Sequence, residues 1–217
     1  MSDATATERL WLADWRRRVA ELYAEVRTVA ATDPAAARAR WAAEREALYR
    51  DHPSSPVLPS ERASFQARHW AYDDRLRFEV AVEGPVEAAP AFAGLGGLAL
   101  PNSGGEELAF DRVGRVTLPL PDGAGALALF WMRGYTGGLF LPFRDATSGE
   151  ETYGAGRYVL DTGKGADLGG DPAGNTLVVD LNFAFQPSCA FDPKWACPLA
   201  PPENRLTARI EAGERLR

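Results

Sequence analysis

The run Leu76–Glu83, LRFEVAVE, is where the chain changes period. Leu76, Phe78, Val80 and Val82 alternate with Arg77, Glu79, Ala81 and Glu83, the pattern of a strand with one face in a core and the other in water. Upstream of it the apolar residues follow the helical period. Downstream they fall into short β-like runs between Gly- and Pro-rich turns. The expected class is therefore α+β: a helical segment over 1–70 and an antiparallel β domain over 71–217, joined in one globule.

The helical part has its own punctuation. Thr5 and Glu8 form a capping-box pattern. Leu12, Trp15, Val19, Leu22, Val26 and Val29 then lie on one helical stripe, expected to face the core. A second helix is expected with Asp33 as N-cap and Pro34 at its first position, carrying Ala37, Trp41 and Leu48 and ending before Pro53. HPSSPVLPS (52–60) reads as a loop, and a short helix is expected from Ser60 to about Trp70.

Beyond Glu83 the strand candidates are ELAF (107–110), RVTLPL (115–120), ALALFWM (126–132), GLFLPF (138–143), GRYVL (156–160) and TLVVDLNFAF (176–185). No long helical run separates them, so they predict an antiparallel barrel or strongly curved sheet on which the helices pack. ALALFWM is apolar on both faces and should be covered on both. Pro119 should sit at an edge or bulge. Within 176–185, strict alternation would put Asp180 and Asn182 side by side on one face.

The chain has 217 residues and a net charge of −6. That balance argues against nucleic acid as a partner, because a phosphate binder needs a basic face. Its first residues lack the pattern of a signal peptide, and no run is long and apolar enough to span a membrane, so the expected location is the cytoplasm.

Chemistry could reside in two places. In 143–161, Gly149, Gly154 and Gly156 allow close backbone approach and Arg157 offers a planar fork for a carboxylate or phosphate. The plainer reading ties Arg157 to a structural carboxylate, Asp145 or Asp180. The second place is LNFAFQPSCAFDPKWACPLAPPENRL (181–206), which holds Cys189, Cys197 and prolines 187, 193, 198, 201 and 202. Such a stretch suits a stiff segment that wraps over other elements without pairing. The cysteines read as packed thiols or a local disulfide, or as reactive thiols if a cation lies near. A zinc site through the pair would have to recruit the distant His52 and His69. No nucleophile elbow, P-loop or dinucleotide fingerprint is present.

LFLPFRDATSGEETYGAGRYVLD, VVDLNFAFQPSCAFDPKWACPLAPPENRL and IEAGE, with SSPVL and FDRVGRVTLPL upstream, resemble the signature blocks of the bacterial and archaeal family called domain of unknown function 1684. The resemblance runs from about Trp41 to Glu214. It departs at Phe185 and Gln186, where the family often has Tyr and Asn. It implies no settled activity and names no cofactor. It does imply that polar, loop-borne positions carry the signature, among them Asp145, Tyr153, Arg157, Asp180, Asn182, Glu203 and Asn204. The resulting expectation is a pocket for a small anionic molecule. Arg157 would hold the anion, with Tyr153, Gly154, Gly156, Asn182 and Asn204 around it, and Asp180 or Glu203 would act as general base. The alternatives are an interaction or scaffold protein, self-associating through the N-terminal helix, and a metal site at the cysteine pair.

Overall fold

A computed structural model describes residues 5–84, 98–100, 108–135 and 137–216. Glu107, the first residue of the run read as ELAF, lies outside them. Among the described residues two helices, α1 (Ala6–Ala30) and α2 (Pro34–Asp51), precede ten strands: β1 (Arg68–His69), β2 (Arg77–Glu83), β3 (Leu98–Leu100), β4 (Leu108–Leu120), β5 (Gly123–Met132), β6 (Leu139–Phe143), β7 (Arg157–Asp161), β8 (Gly170–Asp171), β9 (Thr176–Asp180) and β10 (Glu214–Arg215).

The helices begin where their caps dictate. The Thr5 hydroxyl accepts from Glu8 N–H while the Glu8 carboxylate accepts from Thr5 N–H, and the Asp33 carboxylate accepts from Ala36 N–H with Pro34 following. Only the later part of the α1 stripe is buried. Leu22 and Val26 pack with Ala37 and Trp41 of α2 against Ala166, Leu168 and Phe183, whereas Leu12 is 39% exposed. The helix expected from Ser60 to Trp70 is a single 3₁₀ turn, Arg62–Ser64, followed by β1. The Arg62 guanidinium there turns back onto the carbonyls of Val57, Ser55 and His52.

Seven strands form one antiparallel sheet in the order β7-β6-β5-β4-β2-β9-β8, with β3 added on β4, while β1 and β10 pair separately. The sheet curls into a half-barrel. Its inner face packs Phe78 and Val80 of β2, Val116 and Leu118 of β4, Leu127 and Leu129 of β5, Leu141 and Phe143 of β6, and Val179 of β9. The other side of β5 packs Ala128 and Phe130 with Phe110, Phe140 and Tyr158, so this strand is covered on both faces as its composition requires. Pro119 lies in β4 opposite Ala124, beyond the short stretch where β4 pairs β2 at Val82↔Val116 and Glu83↔Arg115. Its missing N–H therefore interrupts no ladder on that side.

The two ends of the half-barrel differ. At the β4–β5 hairpin end the Pro-rich segment returns across the structure and adds Leu206, Ile210 and Ala212 to the inner core. It is held there by backbone bonds along residues 144–146: Arg144 N–H to Asn204 O (2.9 Å), Leu206 N–H to Arg144 O (2.7 Å) and Ala146 N–H to Ala208 O (3.1 Å). Asn204 supplies the tightest fastening. β5 pairs β6 only at Phe130↔Phe140 and Trp131↔Leu139, which leaves the backbone of Ala128 without that neighbour. The Asn204 amide takes the empty position, accepting from Ala128 N–H (2.8 Å) and donating to Ala128 O (2.9 Å) and Pro142 O (2.7 Å). Asn204→Ala would orphan buried backbone groups and is expected to cost about 3 kcal/mol. Urea denaturation of the variant against the wild-type chain measures that loss.

Candidate functional site

The structure places the residues expected to hold an anion inside the framework. Arg157 is fully buried between the rings of Trp70 and Phe143. Its guanidinium donates to the carbonyls of Ala212, Glu214 (3.1 Å) and Ile210 (2.9 Å), and to Asp145 Oδ1 (3.4 Å). Asp145 is buried too, and also accepts from Ile210 N–H (2.8 Å) and from Thr147. Of the two carboxylates the sequence allowed, Asp145 is the partner. The expected anion-binding role is not what the geometry favours, because the guanidinium is fully buried and both Nη groups are engaged by the C-terminal tail and Asp145, leaving only a buried Nε with no partner among the described residues. Gly156 serves the same packing: at φ 104° it brings the backbone so close that a Cβ would lie 2.5 Å from Phe143 O.

Asp180 and Asn182 do not share a strand face. β9 ends at Asp180, because its carboxylate accepts from Asn182 N–H (3.0 Å) and from the Asn182 amide (2.8 Å), turning the chain into a 3₁₀ turn over Leu181–Phe183. Asn182 in turn clasps Asp73, accepting from its N–H (2.9 Å) and donating to its carbonyl (2.8 Å). Burial raises the Asp180 pKa, an effect opposed by the bonds from Asn182 and Tyr72. Glu203 belongs elsewhere: it is exposed and paired with Arg112 of β4. The two expected bases therefore sit in separate bond networks, and Asn204 serves the β5–β6 gap.

Cys189 and Cys197 are buried neighbours present as thiols, with Cys189 N–H donating to Cys197 Sγ (3.3 Å). The hydrogen bond with Cys189, and burial, push the Cys197 thiol far above its usual range. Tyr153 hydrogen-bonds Cys189, and its pKa is pushed up to about 12, chiefly by burial. Both thiols are buried, which works against the accessibility a reactive thiol needs, although Lys164 acts on Cys197 in the opposing direction; Gly154 lies in the turn beside Tyr153. Among the described residues, no group of three or more His, Cys, Asp or Glu side chains is placed to hold a metal ion.

A different place gathers ligand-sized space. At the end of the half-barrel away from the β4–β5 hairpin, the inner rows run past the packed core. Val82, Val113 at the β4 bulge, Leu129, Trp131, Leu139 and Leu177 line a cavity of about 640 Å³. Val82, Val113, Leu139 and Leu177 are half-buried there, and Trp131 is 42% exposed with its ring against Gly137. Thr162, Asp167, Asn175 and Thr176 complete the rim. Most of these polar groups are engaged: Thr162 Oγ1 accepts from Leu139 N–H (2.7 Å), the Asn175 amide donates to Val82 O, and the Thr176 hydroxyl donates to Glu79 (3.2 Å). Sequence reading missed this site. Val82, Leu129, Trp131, Leu139 and Leu177 fall in the expected strands, whereas Val113, Thr162, Asp167 and Asn175 lie outside them, and only the register brings them all together.

The family model described as "Protein of unknown function (DUF1684)" matches residues 66–215. The chain belongs to this family. The match begins at residue 66, later than the resemblance at Trp41 suggested. The solution NMR structure of an uncharacterized protein of Haloarcula marismortui is similar over 81% of this chain and 90% of that one, with 28% identity and a TM-score of 0.57. No curated protein matches the DUF1684 chain. No helix of its described residues is long and apolar enough to cross a membrane.

Two outcomes test this geometry. Arg157→Met should destabilise the fold by about 3–5 kcal/mol, because Asp145 would be left buried without its cation. Adding Asp145→Leu should recover part of the loss, which a ligand-binding arginine would not allow; urea denaturation reads both. His69 is held neutral, its pKa lowered by burial from 6.5 to about 4. The unfolded chain then binds the extra proton between those values. Stability should be unaffected by this group above pH 6.5 and should fall as the pH drops towards 4, by at most about 1.4 kcal/mol per pH unit. Urea midpoints of wild type and His69→Gln across that window isolate the effect.

Proposed function

We propose that this protein binds small apolar molecules in the open end of its half-barrel. The observation that carries the reading is the cavity of about 640 Å³ lined by Val82, Val113, Leu129, Trp131, Leu139 and Leu177. Its size lies within the usual range for small-molecule pockets, roughly 300–1,000 Å³, and its wall has their composition: apolar and aromatic, with a few polar groups at the edge. Asp167 is the one ionisable side chain among the described lining residues. General acid–base chemistry would need a second group matched to it, so the reading is binding without catalysis. The anion site expected around Arg157 has no place in it, since that guanidinium is committed to the tail.

An uncharged fluorescent probe, N-phenyl-1-naphthylamine, should bind saturably at one site per chain. Val113→Trp places an indole in the mouth at a bulge, where the backbone has slack, and should weaken the probe about tenfold or more. Its urea midpoint should stay near that of the wild-type chain. Absence of saturable binding, or equal affinity in the variant, would overturn the reading.

A further inference from the structure

The mouth carries a charge signature that bears on the kind of molecule it takes. Asp167 stands on its rim with the carboxylate half exposed, accepting from Gly169 N–H (2.8 Å). Arg27 of α1 donates to the Asp167 main-chain carbonyl at 2.7 Å and also forms a long ion pair with the carboxylate at 3.9 Å, beyond hydrogen-bonding distance, so the carboxylate's charge is only partly offset. Arg27 is not among the residues that line the cavity. The rim hydroxyls and amide already have partners within the fold, as described above. A ligand lying along Val82, Leu139 and Leu177 therefore meets apolar wall, and at the edge an acceptor that bears negative charge. The net charge of −6 over the whole chain has the same sign.

Resting on the binding role proposed above, we infer that the occupant is an amphiphile with a cationic head, a primary or secondary amine on an apolar chain or ring. Either charged head loses water on entry to the mouth, but a carboxylate of the same size would approach Asp167 with like charge and gain nothing to offset that loss. An amine would gain a charge-assisted hydrogen bond at the same point. An alcohol would gain the hydrogen bond without the charge.

The test is competition against bound N-phenyl-1-naphthylamine with decylamine, decanol and decanoate at pH 7, each kept below its micelle concentration. These share one chain length and differ in the head. Decylamine should displace the probe at concentrations about tenfold lower than decanoate, with decanol between them, and the spread should shrink as salt is added. Asp167→Asn should bring the amine and the carboxylate close together, a change of ratio that a purely structural role for Asp167 would not produce. If decanoate competes as well as decylamine while the probe still binds, the cationic-head inference is overturned and the apolar site stands. If the probe does not bind at all, both fall.

Discussion

A buried guanidinium with several carbonyl acceptors is a demanding thing to build, because each of its donors loses water on burial and must be met. Arg157 meets most of that demand through its two Nη groups, with the backbone of residues 210–214 and with Asp145, while its Nε is buried with no hydrogen-bond partner among the described residues. The tail between Ile210 and Glu214 is not a regular element, so its carbonyls have few other ways to be satisfied. Arginine and tail thus solve one another's problem. Once the tail is fixed, Ile210 and Ala212 are in the inner core, Glu214 N–H reaches Ala184 O, and β10 lies beside β1. The same anchoring carries the Pro-rich segment across one end of the half-barrel.

Two asparagines extend this logic. Asn204 and Asn182 each accept from a main-chain N–H and donate to the carbonyl of the same residue, so each side chain acts as a missing peptide group. One completes the ladder where β6 leaves β5, and the other ties the approach to β2 onto the end of β9. The half-barrel is consequently fastened by side chains on the flank where its strands part. Leu206 and Ile210 pack into the hairpin end, and at the other end the apolar rows of Trp131, Leu139 and Leu177 come together.

Much of the fold could be read in the residues themselves. Capping atoms are local, so Thr5 with Glu8, and Asp33 with Pro34, announced both helix starts. Alternation and turn residues marked most strands, and ALALFWM declared its two-sided burial. Several of the differences arise where a side chain bonds to backbone. TLVVDLNFAF alternates well enough for a ten-residue strand, yet the Asp180 carboxylate stops it halfway. For Arg157 the plainer reading, a tie to Asp145, holds, but its other acceptors are main-chain carbonyls, which carry no residue identity and so could not be read. Asn204 and Glu203, adjacent in sequence, seemed to belong to one site, but Asn204 is buried on β5 and Glu203 faces Arg112. The candidate mouth was hidden for another reason: five strand ends converge there, and alternation within a strand says nothing about which ends meet.

The pairing of Arg45 with Glu214 links α2, which precedes the stretch matched by the family model, to the tail that lies within it. Arg45 also lies over the rings of Tyr49 and Phe185, and Glu214 accepts from Gln186 N–H (2.7 Å). The helical hairpin is therefore wired into the hydrogen-bonding of the family-matched segment instead of resting on it as an ornament. Any protein that keeps the half-barrel and tail but discards this hairpin must supply another counter-ion for the glutamate, or replace the glutamate as well; the boundary of the matched segment is not a seam along which the molecule would come apart.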